Sequence, residues 1–242
     1  MEIKVLGTGS SGNCYRVSDG ATTILLDAGL PFEKIRKGCE FALGQIAGCL
    51  VTHSHKDHCK AVPGLLKSSV PVWMPGEEIE AAKFPADMPQ HRLHTPYMSG
   101  FQKYEAFQID TFTIVPFRVQ HDTPEPVGYL IGSSWTNEKL LYITDSYYVG
   151  YQFRGVTHLI CEVNYDADTL WERVERGETG AARAKRLFTS HMSLSTFLSF
   201  LQALDQSRLQ SVLICHMSDD HGDERRILEA VQAATAATVM AC

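Results

Sequence analysis

The alternation of apolar and polar positions divides the chain into short strands and amphipathic helices. Apolar runs at 3–6, 14–18 and 22–27 read as strands, and the Asp19-Gly20 turn closes the last two into a hairpin. Residues 31–39 read as a short helix with Pro31 in its first turn, and 49–52 as a buried strand running into a histidine-rich loop. Next come a helix at 61–67, a strand at 70–74 and a helix at 76–83. Between 85 and 100 the pattern fades into proline-containing polar sequence, which predicts a loop. Strands resume at 102–109, 111–120, 127–132, 139–144 and 158–162. Helical periodicity then takes over at 166–176, 179–187 and 193–205, with a strand at 212–215, a helix at 222–234 and a last strand at 237–240. Strands precede helices in each half, and no Gly/Pro/Ser-rich linker or internal repeat interrupts them. This predicts one α/β domain over 1–242, its sheets sandwiched between helical layers.

Composition narrows the class. The chain has 242 residues, 44% hydrophobic and 21% charged, which is ordinary globular usage and excludes a fibrous or disordered protein. A formal charge of -6 argues against attachment to nucleic acid or an anionic membrane by bulk charge. No apolar stretch approaches the roughly 18 residues of a membrane span, and the first residues lack the apolar core of a secretory signal. No membrane association is expected. Seven cysteines without a CxxC pair argue against a disulfide framework and for a reducing, cytoplasmic setting.

The strongest chemical signal is the string His53-Ser54-His55-Lys56-Asp57-His58, directly after an apolar strand. A strand end followed by a tight loop aims alternate side chains to one side, so His53 and His55 converge on one ion. Asp57 and His58 then stand a little further on, placed for a second. Imidazole with carboxylate suits zinc, manganese or iron in a hydrolytic site. One loop cannot complete two coordination shells, and three more apolar strands end in metal-type ligands: His121 after 112–120, Asp145 after 140–144 and His216 after 212–215.

This series, HxHxDH, then a lone His, an Asp after a strand and a His near the end, resembles the metallo-β-lactamase superfamily. Asp27 in the LLDAG run matches a structural aspartate of that family. The segments GTGSSGNCY, PFRVQHDTPEPVGY and CEVNYD, and the pair SHMS and CHMS at His191 and His216, are similar to its WalJ (YycJ/VicX) branch, which is associated with phosphodiester hydrolysis of nuclease type. Two positions depart from that branch: Leu194 follows SHMS where Asn is expected, and Asp219-Asp220-His221 replaces an Asn-rich turn. The resemblance implies a four-layer αββα sandwich. It also implies two divalent ions, zinc first with manganese or iron as alternatives: one held by His53, His55 and His121, the other by Asp57, His58 and His216, and Asp145 bridging them. A hydroxide shared by the ions would attack phosphorus.

Further roles follow from position. Asp57 is a candidate catalytic group as well as a ligand, able to orient or deprotonate a water. His191 occupies the place where phosphodiesterases of this superfamily keep a histidine that is not a ligand. It is expected to contact substrate and to donate a hydrogen bond or proton to a phosphoryl or leaving oxygen. The loop Ser10-Ser11-Gly12-Asn13 could cradle a phosphate with backbone N–H groups, making Ser11 and Asn13 candidate substrate contacts. Glu162 and Asn164 are placed to support the ligands, and Cys59 to pack inward. The expected substrate is a phosphodiester, DNA or RNA ends first and cyclic phosphodiesters second. Thioester or lactone hydrolysis is the alternative within the enzymes, and a metal-binding regulatory module without turnover the alternative outside them. No protein partner is legible.

Overall fold

A computed structural model describes residues 1–96, 98–99, 103–218 and 222–242. The start of the strand expected at Gln102 and the Asp219-Asp220-His221 turn lie outside the described residues. Two compact units emerge: Met1–Arg118 with Thr123–Glu138, and Val119–Asp122 with Lys139–Cys242.

In the first unit, strands β1 (Glu2–Gly7), β2 (Cys14–Ser18), β3 (Thr23–Leu26), β4 (Gly48–Leu50), β5 (Val72–Trp73) and β6 (Leu93–His94) form a sheet in that order. β1 to β3 run antiparallel and β3 to β6 parallel. Helices α1 (Phe32–Gly38), α2 (Lys56–Cys59), α3 (Val62–Lys67) and α4 (Gly76–Ala82) make the connections. The parallel strands are apolar without alternation because both their faces are covered: Leu25, Cys49, Val51 and Val72 pack with Ile35 of α1 and Leu65 of α3, and Ile24, Leu26 and Leu50 are buried on the opposite face, all without solvent exposure. Burying a side chain of the size of Leu65 contributes about 1.5–3 kcal/mol. A two-stranded ribbon, β7 (Met98–Ser99) with β8 (Lys103–Tyr104), leads to the antiparallel strands β9 (Phe107–Ile109), β10 (Phe112–Arg118) and β11 (Val127–Ser133).

Asp19 ties the β2–β3 turn to β10 and β11. One carboxylate oxygen accepts from the Thr111 and Ser133 hydroxyls, each at 2.6 Å, and the other from the N–H groups of Ala21 and Thr22. Burial opposes its charge, yet these hydrogen bonds together outweigh it and hold the Asp19 pKa below the ordinary 3.8. At the other end of β11's span, the Tyr129 hydroxyl donates to the Val51 carbonyl at 2.7 Å, beside the histidine string.

The second unit is a parallel sheet of β12 (Lys139–Ile143), β13 (His158–Glu162), β14 (Ser211–Cys215) and β15 (Thr238–Ala241). Helices α5 (Ala167–Glu175), α6 (Ala181–Ser190) and α7 (Leu194–Ala203) join β13 to β14, and α8 (Glu224–Ala234) joins β14 to β15. Side chains of Asp166, Ser193 and Asp223 cap α5, α7 and α8 by accepting from the N–H three residues on. The register sets Ile143 beside Cys161 and Cys161 beside Ile214, so the C-terminal ends of β12, β13 and β14 stand level. In parallel sheets this is the edge where ligand-binding groups collect.

The structure corrects several boundaries. Residues 85–100, expected as loop, hold a 3-10 turn at Gln90–Arg92 and strand β6, whose His94 stacks on Trp73 at 4.8 Å between ring centroids. The expected strand at 102–109 is broken into β8 and β9, and the strand expected to run to 120 ends at Arg118. Residues 56–59, read as loop, form the one-turn helix α2.

Candidate metal centre

His53, His55, Asp57 and His58 lie in the first unit, and His121, Asp145, His191 and His216 in the second.

In the first unit the string leaves β4 in extended conformation and turns into α2 at His55. His53 therefore sits within ring contact of His55 and His58, at centroid distances of 4.9 and 4.1 Å. The anchor is Asp27, fully buried at the end of β3 with φ of 56°. It accepts from the Thr52 N–H at 2.8 Å, from the Thr52 hydroxyl at 3.0 Å and from His58 Nδ1 at 2.8 Å. These bonds decide two tautomers. His58 carries its proton on Nδ1, because a carboxylate only accepts. The single Thr52 hydroxyl proton goes to Asp27, so the contact of Thr52 Oγ1 with His53 Nδ1 at 3.0 Å is donated by the ring. Both rings thus turn a lone pair on Nε2 away from Asp27, which is how a carboxylate or hydroxyl behind a histidine prepares it for a metal. Asp57 Oδ2 stands 3.6 Å from His58 Nε2.

The backbone of the LLDAG run holds this arrangement at close range. A Cβ on Gly29 would lie 1.6 Å from the Asp57 carbonyl oxygen, so only glycine fits there. Asn13 is fully buried, and its amide nitrogen contacts the Asp57 carbonyl at 3.3 Å and His58 Nε2 at 3.1 Å. It therefore meets His58 on the Nε2 side, opposite Asp27, whereas Ser11 is exposed. Cys59 packs inward as expected: its thiol donates to the Ser54 carbonyl, and burial, with the charges of Asp27, Asp57 and Glu78, pushes its pKa up to about 12. The sequence gives no hint of Glu78. Fully buried in the first turn of α4, it accepts from the Ser54 N–H at 2.8 Å and the Glu125 N–H at 2.6 Å and so props the loop.

In the second unit the level strand ends deliver Asp145, Glu162 and His216 to one edge. Asp145 and His216 leave their strands with positive φ, 36° and 51°, a conformation costing roughly 1–3 kcal/mol that is found where function dictates geometry. Asp145 turns one oxygen to His121 Nε2 at 3.7 Å and the other to His216 Nε2 at 3.8 Å. Both gaps exceed a hydrogen bond. They are a few tenths of an ångström wider than the roughly 3.4 Å between two tetrahedral ligands of one ion at 2.0–2.2 Å. His121 Nδ1 donates to the Ser190 carbonyl at 2.7 Å, and its Nε2 faces carboxylate oxygens of Asp122 at 3.1 Å and of Asp145 at 3.7 Å.

Glu162 is the counterpart of Asp27. Fully buried, it accepts from the N–H groups of Ser146 (2.6 Å) and Met192 (3.1 Å) and from His191 Nδ1 (2.9 Å). Burial works against its charge, but His191 and His216 hold its pKa below the usual carboxylate range. The same charge raises His191 against the effect of burial. His191 stacks on His216, centroids 5.3 Å apart, and Asn164 donates to the His216 carbonyl at 2.8 Å. Donor atoms of Asp145, Glu162, His191 and His216 lie within 4.8 Å of one another. Within each unit, imidazoles held by buried carboxylates, Asp27 in the first and Glu162 in the second, are donors of the type that fits a divalent metal. His158 stays outside it, bonded to the Ser211 hydroxyl.

A family model described as "Beta-lactamase superfamily domain" matches residues 22–217. The chain is 28% identical over 179 residues to "Exodeoxyribonuclease YycJ" of Bacillus anthracis, covering 70% of this chain and 65% of that protein, just under two thirds of its length. It is 24% identical over 234 residues to "Exodeoxyribonuclease WalJ" of Streptococcus pneumoniae, covering 80% and 82%. Among solved structures, the metallo-β-lactamase fold protein YhfI from Bacillus subtilis superposes with a TM-score of 0.68 at 15% identity, covering 99% of this chain and 95% of that one. That likeness shows the fold, the α/β sandwich expected from the sequence.

Proposed function

The chain belongs to the β-lactamase superfamily, and on that premise we propose that it is a metal-dependent phosphodiesterase acting as an exonuclease on nucleic-acid ends. Curated relatives in Bacillus anthracis and Streptococcus pneumoniae carry the name exodeoxyribonuclease, and its donor set fits divalent ions. The observation that carries the reading is Asp145, whose two oxygens face the Nε2 atoms of two different histidines. In the proposed site His53, His55 and His121 would hold one ion, Asp57, His58 and His216 the other, and Asp145 would serve both. The ligand series is shared between the two units, so the reading requires 1–242 to work as one domain. Zinc is the first choice, with manganese or iron accepted by the same donors.

When bound, a pair of divalent ions supplies Lewis acidity toward the phosphoryl oxygens and acidifies a water. The chain's own groups do the rest. Asp57 takes up or orients the water's proton. His191, held through Nδ1 by Glu162, offers its Nε2 side to a phosphoryl or leaving oxygen. Ser11, exposed on the loop after β1, is the proposed substrate contact among the small residues there. Asp27, Thr52 and Ser190 hold His58, His53 and His121 through their Nδ1 atoms. The free thiols of the seven cysteines accord with a reducing, cytoplasmic setting. Among the described residues no helix is long and apolar enough to cross a membrane.

Hydrolysis of bis(p-nitrophenyl) phosphate and of end-labelled single- and double-stranded DNA, with zinc or manganese restored after chelation, tests the proposal. Metal-dependent release of mononucleotides supports it. Turnover of a thioester but of no phosphodiester overturns it.

A further inference from the structure

The stretch following Asp145 has no part in holding metal, yet it is the most aromatic segment of the second unit. Tyr147, Tyr148, Tyr151 and Phe153 fall within seven residues, and the three tyrosines are exposed, Tyr148 to 56%. Behind them is a cavity of about 350 Å³. Tyr148, Tyr151 and Phe153 line one wall, and Thr196, Ser199 and Phe200 of α7 line the other. Phe153 forms its apolar floor with Phe200, ring centroids 6.5 Å apart, and Tyr151 stands 6.3 Å from Phe153 toward solvent.

Both walls grow out of the candidate metal centre. The loop starts at Asp145. Its first residue, Ser146, is pinned by its N–H to Glu162 at 2.6 Å, and its hydroxyl donates to the Tyr148 carbonyl at 2.9 Å. Three residues of chain reach at most about 11 Å, so Tyr148 stays within that distance of Asp145. The other wall begins just after His191, where Ser193 caps α7. A mouth of aromatic faces and hydroxyl edges is therefore tied at its start, through Ser146, to Glu162, the carboxylate that also holds His191. Its volume lies at the small end of ligand pockets, suited to one planar group. Aromatic rings accept any nucleobase by stacking, because every base presents a π face.

We propose that this pocket seats a nucleobase of the substrate strand, stacked on Tyr148 and Tyr151, and so delivers a neighbouring phosphodiester to the centre. Thr196 and Ser199 offer hydroxyls to the base edge. The proposal rests on the phosphodiesterase reading for its substrate but makes a separate claim about binding.

The test measures fluorescence anisotropy of a labelled ten-residue oligothymidylate with the full chain, in chelator and again with metal restored. The same oligomer with abasic residues at its end serves as the second probe. Tyr148→Ala/Tyr151→Ala is expected to weaken binding about 5- to 100-fold in both conditions. Tyr148→Phe, which keeps the ring, is expected to stay within about twofold. The wild type should prefer the base-bearing oligomer and the double variant should not. No oligomer binding by the wild type, equal affinities in wild type and double variant, or no preference over the abasic probe would each overturn the proposal. Bis(p-nitrophenyl) phosphate turnover by the wild type separates the two readings. Turnover with unchanged oligomer affinity rejects the pocket and keeps the enzyme, whereas base-dependent binding without turnover of any diester does the reverse.

Discussion

Replacing Asp27 with Asn tests how the histidine string is prepared for metal. The two side chains have nearly the same shape, and Asn tolerates the positive φ of 56° as well as Asp does, so the backbone gains no new strain. The hydrogen bonds do change. Asp27 accepts at both oxygens, from Thr52 and from His58 Nδ1, in a site with no solvent exposure. Asn has one accepting oxygen and must aim its NH2 group at a donor. If the oxygen keeps Thr52, the NH2 group faces His58 Nδ1, and the ring can answer only by moving its proton to Nε2, the atom a metal needs. Losing one hydrogen bond to a buried charge costs about 1.5–3 kcal/mol, and for a chain of this size that lowers Tm by about 3–12 °C. Loss of such an orienting partner weakens metal affinity about 10- to 100-fold, or about 1.4–2.7 kcal/mol. Competition of zinc against a chromophoric chelator reads the affinity, and thermal melting in chelator reads the stability. An Asp27→Asn chain that melts several degrees lower yet binds zinc as tightly as the wild type would refute the tautomer argument, leaving Asp27 a structural role only.

His191→Ala should lower phosphodiester turnover about 10²- to 10⁴-fold with metal content unchanged; loss of metal instead would make His191 a ligand. Gly29→Ala forces a methyl group onto the Asp57 carbonyl, and denaturant titration should show a loss of about 3 kcal/mol or failure to accumulate folded protein. Stability equal to the wild type would mean the close approach is misplaced. Asp19→Asn addresses pH. Because the Asp19 pKa is lowered on folding, its contribution is complete above the ordinary value of 3.8 and fades as pH falls below 3.8 through the depressed value. The gap in unfolding free energy between wild type and variant should therefore be constant near neutrality and shrink below pH 3.8. A gap that does not shrink at all as the pH falls below 3.8 contradicts the assignment.

The sequence made the chemistry legible where the donors are neighbours in the chain or end an apolar run. His53 to His58 is a single string, and Asp145 and His216 terminate strands that burial makes continuous and apolar. The partners that aim these rings were harder to read. Ser190 lies 69 residues from His121 and acts through its backbone carbonyl, which has no sequence signature. Glu78 opens α4 beside Glu77, a position that reads as an exposed charge favouring a helix N-terminus, until tertiary packing buries it under Ser54. Asn13 was legible as a special residue but not in its task, because a small polar loop looks alike whether it faces solvent or a buried histidine. Strand β6 is two residues long and exists through pairing with β5, so no local pattern could announce it. The tyrosines after Asp145 match no motif, and only the fold sets Tyr148 and Tyr151 across a cavity from α7.

The central claim is that two divalent ions share Asp145 and that hydrolysis depends on both. Metal content by mass spectrometry after dialysis, measured together with phosphodiester turnover for the wild type and Asp145→Asn, addresses it directly. The expected result is two ions per wild-type chain, activity that rises with the second equivalent, and an Asn variant that keeps its fold, binds at most one ion tightly and loses turnover. Full activity with one ion per chain, or an Asp145→Asn chain that holds two ions and still cleaves, would contradict it.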